Sequence, residues 1–134
     1  MEKERYELLF KDLYGRLPYG VIVEYGYKFE DIDKGEKRHI LTGRMLDSYF
    51  CNLTLGGIKV TSIKPYLRPM SSMTEEEKEE YESLRNALTY QENGEYDLDD
   101  FNELDDFLNR RKLDRYGLID KGLALEAPDG MYEN

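Results

Sequence analysis

The chain of 134 residues has one cysteine, one histidine and no tryptophan. A lone cysteine, Cys51, cannot form a disulfide within the chain, and one cysteine with one histidine is too few for a structural zinc site. Carboxylates alone would leave only a weak site for a hard cation. The sequence therefore predicts no bound metal and no cofactor.

Long apolar runs are also missing. No window approaches the ~20 consecutive apolar residues that cross a bilayer, and the charged start Met1–Arg5 lacks the apolar run of a signal peptide. An acidic chain is also repelled by anionic lipid surfaces. We therefore expect a protein of a reducing cytoplasm that does not attach to membranes.

No motif with a defined chemistry stands out. A nucleophilic pair of Cys51 and His39 is formally possible on neighbouring strands, but nothing identifies a third group to orient it. The acids at 97–100 suggest an EF-hand, yet that register places Asn102 where glycine is required and Leu108 where glutamate is required. We therefore predict no catalytic residues and a protein that is not an enzyme.

What the chain does have is a segregation of charge. Residues 1–73 hold 12 Lys/Arg and 10 Asp/Glu, whereas residues 74–134 hold 7 and 19, so the second half carries almost all of the net charge of −10. The two halves meet at Lys64–Lys78, where Pro65 and Pro69 favour an extended elbow. The length suits a single domain over 1–134, with an N-terminal helix (1–17), a small β-sheet or barrel (18–66) and an acidic helical region (67–134).

Three helices are predicted by periodicity and capping. The first should stop at Gly15 and bury one apolar face, made of Tyr6, Leu9, Phe10, Leu13 and Leu17. Thr74–Glu77 forms a capping box, which predicts a helix from about 75 to 90. A turn at 93–94 then precedes a third helix over about 98–113, with acids at its start and bases at its end.

Short strands fill the region between the first two helices. We predict a strand at 21–27, a loop at 28–37, a strand at 38–46 bent at Gly43, and a hairpin pairing 49–55 with 58–63 around Gly56-Gly57. The prolines should end the sheet at Pro65. The expected fold class is α+β, with a small curved antiparallel sheet or SH3-like barrel and acidic C-terminal helices.

Basic and aromatic residues concentrate in this sheet. Seven Lys/Arg between 34 and 68 face only two acids, a local net charge of +5, and the candidate binding surface is Arg44, Lys59, Lys64, Tyr66 and Arg68. Such a surface could hold nucleic acid. It could equally be the polar face of a sheet that pairs with the acidic helices of the same chain, and we favour this second interpretation because the whole-chain charge opposes a polyanion.

Several segments carry a resemblance. The run Lys64–Tyr81, KPYLRPMSSMTEEEKEEY, resembles a segment of short uncharacterised proteins from gut Bacteroidales, their phages and mobile elements. Parts of the tail, at 117–119, 121–128 and 130–132, and of the start, at 8–13 and 17–20, are similar to the same proteins, whereas 24–63 matches poorly. The resemblance implies an accessory gene of a mobile element that acts in a bacterial cytoplasm.

Composition and resemblance together favour a non-enzymatic accessory binding protein that acts through protein–protein interaction with an unknown protein partner. Two alternatives stay open at this point. One is a nucleic-acid-binding small β-barrel, and the other is an acidic inhibitor that mimics the charge of nucleic acid.

Overall fold

A four-stranded sheet organises the molecule, which is known from a computed structural model that describes residues 2–89 and 98–132. The strands are β1 (Ile22–Phe29), β2 (Ile32–Ile40), β3 (Ile58–Leu67) and β4 (Leu125–Glu126), in the order β2-β1-β3-β4. The first three pair antiparallel, and β4 runs parallel to β3. The sheet curls into a half-barrel. Its combination with four helices confirms the predicted α+β class.

Four helices accompany the sheet: α1 (Glu2–Arg16), α2 (Gly43–Phe50), α3 (Glu75–Thr89) and α4 (Leu98–Arg110). The predictions of α1 and α3 are confirmed to within a residue. Helix α4 ends three residues earlier than predicted, because Lys112 adopts a left-handed φ of 56° and Leu113 leaves the helix to bridge with Arg68. The predicted turn at 93–94 lies outside the described residues.

The segment 28–50 was predicted wrongly. Glu30 and Asp31 both have positive φ, 49° and 67°, and form the two-residue turn of a hairpin between β1 and β2. The loop predicted at 28–37 is therefore largely strand, and its polarity reflects an edge strand exposed along its whole length. Gly43 is not a bend in a strand, because the Thr42 hydroxyl accepts from the Met45 N–H and starts α2 there.

Two further strand predictions need correction. The glycine turn at 56–57 is present, but only Leu55 and Ile58 pair across it, because the predicted strand 49–55 begins inside α2. The sheet also continues through Pro65 to Leu67. Pro65 lies opposite Val23 of β1. The Val21 oxygen, two residues earlier on the same edge, accepts from the Leu41 N–H, so Val23 also directs its backbone hydrogen bonds towards β2 and away from Pro65. The N–H that proline lacks is therefore not needed there.

Two hydrophobic clusters hold the elements together. In the larger one, α1, α2 and the tail segment 118–124 cover the inner face of the sheet, with the fully buried side chains of Leu13, Val21, Val23, Leu67 and Leu118 at its centre. The smaller cluster joins α3 to α4 through Phe107, Leu108 and Leu113, with Tyr81 and Leu84 packed against it. The tail thus belongs to the core of the first half of the chain.

Candidate functional site

Helix α1 carries three aromatic side chains at four-residue spacing, which places them on one stripe. Tyr6, Phe10 and Tyr14 are 39%, 39% and 63% exposed. Tyr49 and Phe50, at the end of α2, lie beside this stripe. We call these five residues the aromatic surface.

The opposite side of α1 explains why this stripe faces water. Leu9 and Leu13 are buried, as predicted, but so are the charged side chains of Asp12 and Arg16. The buried face of the helix is therefore rotated away from Tyr6 and Phe10, which the sequence pattern had assigned to the core. An i, i+4 pair of charges occupies the positions that apolar residues would otherwise fill.

Helix α2 is fixed in place by a buried hydroxyl. Ser48 Oγ accepts from the Val60 N–H at 2.8 Å and donates to the Leu53 carbonyl at 2.8 Å, so α2 is held against β3. Leu46 is also buried and belongs to the larger hydrophobic cluster. These anchors leave Tyr49 and Phe50 half-buried on the side of α2 that meets α1.

Phe50 contacts three neighbouring rings of the aromatic surface in edge-to-face fashion. The Phe50 ring centroid lies 4.8 Å from those of Tyr6, Phe10 and Tyr49. The Tyr6 hydroxyl donates to the Tyr49 carbonyl at 2.9 Å, which adds a directional bond between the two helices. Such contacts contribute about 0.5–1.5 kcal/mol per ring pair and restrict ring motion. The aromatic surface is therefore preorganised.

The aromatic surface is also uncharged at neutral pH. Burial, followed by the nearby Cys51 thiol, raises the pKa of Tyr6 above its usual value. Burial and then Tyr6 raise the pKa of Tyr49 in the same way. Rigid, uncharged aromatic rings with polar tips are the side chains that dominate protein–protein contacts.

Two residues of the candidate binding surface predicted from sequence are engaged within the chain. Tyr66 is 6% exposed, and its hydroxyl accepts from Arg38, whose guanidinium lies 4.7 Å above the Tyr66 ring. Arg68 donates to both carboxylate oxygens of Glu77, at 2.9 and 2.8 Å, and this bond raises the pKa of Arg68. Both side chains are therefore held by contacts within the chain.

Of the other three residues, Lys64 lies two residues from Tyr66 on the same face of β3, whereas Arg44 lies on α2. Arg44 is exposed at the start of α2, Lys64 is exposed opposite Glu24, and Lys59 lies towards the other end of β3. Five residues of strand separate Lys59 from Lys64 by about 17 Å. The five residues are therefore spread along β3 and onto α2.

Among the described residues, the expected pairing of the basic sheet with the acidic helices is found for one basic residue. Of the seven basic residues between 34 and 68, Arg68 is the one that forms an ion pair with another described residue. The reason is that α3 and α4 pack on each other and on the elbow, whereas β2 lies at the far edge of the sheet.

A groove of about 780 Å³ runs between the elbow and the tail. It is lined by six residues between 68 and 77 and by residues 126–132, so the two segments that carry most of the resemblance meet there. Arg68 and Glu77 satisfy each other on its wall, and the remaining acids, Glu126 and Asp129, are exposed. The groove therefore offers no buried, unpaired charge among the described residues to fix a ligand.

The structure adds two negative findings for residues 2–89 and 98–132. No group of three or more His, Cys, Asp or Glu side chains there could hold a metal ion. Within the same ranges, no helix has the length and apolar character to span a bilayer.

Comparison with known proteins identifies no relative: no family model, no curated protein and no solved structure matches the chain. The candidate site thus depends on its own geometry. Sequence reasoning missed Tyr14, although the repeat of aromatic residues at 6, 10 and 14 was the signal that could have shown an aromatic stripe.

Proposed function

We propose that this protein is a non-enzymatic binding protein that contacts a protein partner through the aromatic surface. The observation that carries the proposal is the exposure of Tyr6, Phe10 and Tyr14 on one stripe of α1. A single exposed aromatic residue needs no explanation, but a contiguous exposed group marks interaction sites.

The size of the exposed area supports this proposal. At about 200 Å² for each aromatic side chain, the exposed fractions leave roughly 300 Å² of aromatic surface in water. That area is comparable to the largest apolar patch of a typical monomer, which is often functional. The half-buried rings of Tyr49 and Phe50 extend it toward α2.

The ring geometry favours protein over nucleic acid as the partner. Bases bind by stacking on open ring faces beside a basic groove. Here the Phe50 ring contacts those of Tyr6 and Phe10 edge-to-face, and the charges alongside the stripe include Glu7 as well as Lys3 and Lys11. This arrangement suits burial against an apolar protein surface with a mixed polar rim.

The biological setting forms part of the same proposal. The resemblance of Lys64–Tyr81 supports an accessory role for a phage or mobile element in a bacterial cytoplasm. Such a protein would act by binding its partner and would catalyse no reaction.

Affinity purification from the cells that encode the protein tests the proposal, with two matched variants. Phe10→Glu places a charge in the aromatic surface, and Ile32→Glu places the same charge at an exposed apolar residue of the hairpin. We expect the unmodified chain and Ile32→Glu to recover the same amount of one protein partner, and Phe10→Glu to recover at least about tenfold less of that partner. Equal recovery with all three chains, or recovery of nucleic acid alone, would refute the proposal.

A further inference from the structure

We infer that strand β2 is a second interaction surface, where residues 36–40 take up an acidic, extended segment of a partner protein as an added antiparallel strand. We call residues 36–40 the open edge. This inference goes beyond the proposed function, because it concerns the edge of the sheet and not the aromatic surface. Peptide recognition by strand addition uses backbone hydrogen bonds for affinity and side-chain contacts for selectivity.

The backbone of the open edge points away from the sheet at every second residue. β2 is the terminal strand in the order β2-β1-β3-β4, and all nine of its residues are exposed. Because the Leu41 N–H donates to the Val21 oxygen, the odd-numbered residues from 37 to 41 direct their backbone groups to β1. The N–H and C=O groups of Glu36, Arg38 and Ile40 therefore point outward.

Most of these outward groups have no partner within the described part of the chain. The Ile40 oxygen lies 2.6 Å from His39 Nδ1, and none of the other five groups forms a hydrogen bond with residues 2–89 or 98–132. The outward residues repeat every ~7 Å along the strand. An extended peptide presents N–H donors and C=O acceptors at the same spacing, whereas the phosphates of nucleic acid present acceptors only. The open edge thus fits a peptide backbone.

The charged side chains of β2 leave the open edge uncovered. Proteins commonly protect an edge strand with charges that hinder the approach of another strand. Here the Arg38 guanidinium lies back across the sheet, 4.7 Å above the ring of Tyr66 on β3, and donates to the Tyr66 hydroxyl at 3.1 Å. Lys37 leans over β1, with its Nζ 5.7 Å from the Tyr27 ring centroid. Both contacts lie on the sheet side of β2, so the outward backbone groups stay accessible.

The charges of β2 favour an acidic segment. Between residues 34 and 40 the three basic residues Lys34, Lys37 and Arg38 outnumber the one acid, Glu36. None of the three forms an ion pair with another described residue. Opposite charges on directly paired residues of neighbouring strands stabilise a sheet. A carboxylate also binds a guanidinium or an ammonium more strongly than the neutral hydroxyl and the ring faces that now contact Arg38 and Lys37.

The acidic half of the chain lies away from the open edge. The acidic excess is in residues 74–134, and α3 and α4 pack together beside the elbow that follows β3, whereas β2 is at the other edge of the sheet. Charges separated by more than about 8 Å are largely screened at physiological salt. Repulsion from the acidic helices therefore does not prevent the approach of an acidic segment to β2.

Antiparallel pairing predicts the order of side chains in the segment. The residue opposite Ile40 should be apolar, and the residues opposite Arg38 and Lys37 should be two consecutive acids. In the direction of the segment, the apolar residue comes first, any residue follows, and the two acids come next. The residue opposite Glu36 should not be acidic.

Fluorescence anisotropy of a labelled peptide tests the inference on the full chain. The probe has about eight residues, with valine and two consecutive glutamates at the predicted positions and threonine elsewhere. We expect a Kd of about 10–300 µM at physiological salt. The same peptide with two lysines in place of the glutamates should bind at least about tenfold more weakly.

Methylation of the peptide backbone separates strand addition from charge attraction. N-methyl groups on the peptide amides that face the open edge should weaken binding at least about tenfold, because they remove the donors and block the approach. N-methyl groups on the intervening amides, which face solvent, should change the affinity by less than about threefold. The unmodified protein is used for both peptides, so its folding is not in question.

Variants of the protein locate the contact. Arg38→Ala removes one charge and should weaken peptide binding by about threefold, whereas Arg38→Pro also removes an outward N–H and should weaken it by at least about tenfold. Lys37→Glu should lose at least about tenfold, and Lys59→Glu, which makes the same change of charge on β3, should lose less than about twofold. Thermal melts check that each variant is folded.

The inference would be overturned by a glutamate peptide that does not bind, by equal binding of the lysine peptide, or by equal losses from the two methylation patterns. Tighter binding of a single-stranded oligonucleotide than of the peptide would also overturn it. Phe10→Glu should bind the peptide as the unmodified chain does. Failure of the peptide experiment therefore leaves the aromatic surface to be judged by its own affinity purification.

Discussion

The buried guanidinium of Arg16 donates to the carbonyl of Leu113, 97 residues further along the chain. The same side chain forms an ion pair with Asp12 at 2.9 Å, and both side chains are essentially inaccessible to solvent. Burial raises the pKa of Asp12, while Arg16 opposes that shift. This contact ties α1, and with it the aromatic surface, to the C-terminal half of the molecule.

Replacing Arg16 should therefore be costly. Arg16→Met leaves the Asp12 carboxylate buried without its counter-charge, and we expect the free energy of unfolding to fall by about 3–5 kcal/mol. The double variant Asp12→Leu/Arg16→Met removes both charges and should recover more than half of that loss. Urea denaturation measures both effects, and a loss below about 1 kcal/mol for Arg16→Met would contradict the role assigned to the pair.

Tyr132 joins the tail to the sheet through two hydrogen bonds. Its hydroxyl accepts from the Ile22 N–H at 2.9 Å and donates to the Tyr66 carbonyl at 2.7 Å, and burial raises its pKa to about 12. Tyr132→Phe leaves both backbone groups without this partner and should lower the unfolding free energy by about 1–2 kcal/mol. Tyr14→Phe, which removes a hydroxyl from an exposed ring, is the control and should be close to neutral. Equal effects in thermal melts would show that the Tyr132 bonds contribute nothing.

The sequence predicted the elements whose signals are local. The capping box at Thr74 and the periodicity of α1 act within a few residues, so these helices begin where expected. Strand β2 escaped prediction because both of its faces are exposed, which removes the alternation of apolar residues on which strand prediction depends. Helix α2 was not predicted because it is short and glycine occupies its first position.

The cap of α3 has the predicted geometry. The Glu77 N–H donates to the Thr74 hydroxyl at 3.2 Å, and Glu77 accepts from the Thr74 N–H at 2.9 Å. Thr74→Ala should lower the unfolding free energy by about 1 kcal/mol, whereas Thr74→Ser keeps the acceptor and should cost much less. A denaturant melt in which alanine and serine are equivalent would exclude a stabilising cap.

Glu77 should make the stability depend on acid. The hydrogen bond from Arg68 is the main reason that the pKa of Glu77 falls from 4.5 to about 2. A lowered pKa in the folded state means that this contribution is complete above pH 4.5 and is lost as the pH falls to about 2. Glu77→Gln should be less stable near neutral pH and should show a shallower loss of stability over that acid range. Parallel profiles for the two proteins in urea melts would contradict this assignment.

The candidate site was less predictable than the fold, for a physical reason. Arg68 and Tyr66 looked like ligand-binding side chains in the sequence, but long-range contacts with Glu77 and Arg38 engage them. Conversely, Phe10 looked like a core residue, because hydrophobicity does not reveal that Asp12 and Arg16 occupy the buried face instead. Which face of a helix is buried depends on tertiary packing, and the sequence reports it only indirectly.

The most direct test of the central claim is hydroxyl-radical footprinting of the aromatic surface, with oxidation located by mass spectrometry. The dilute chain should be oxidised readily at Phe10 and Tyr14, and assembly with its protein partner should reduce oxidation there by at least about threefold, as expected for side chains buried in an interface. Phe29 and Ile32, which are exposed on the hairpin, serve as internal controls and should be oxidised equally in both states. Unchanged oxidation of Phe10 and Tyr14 in the assembled state would contradict the claim that this surface is a protein contact.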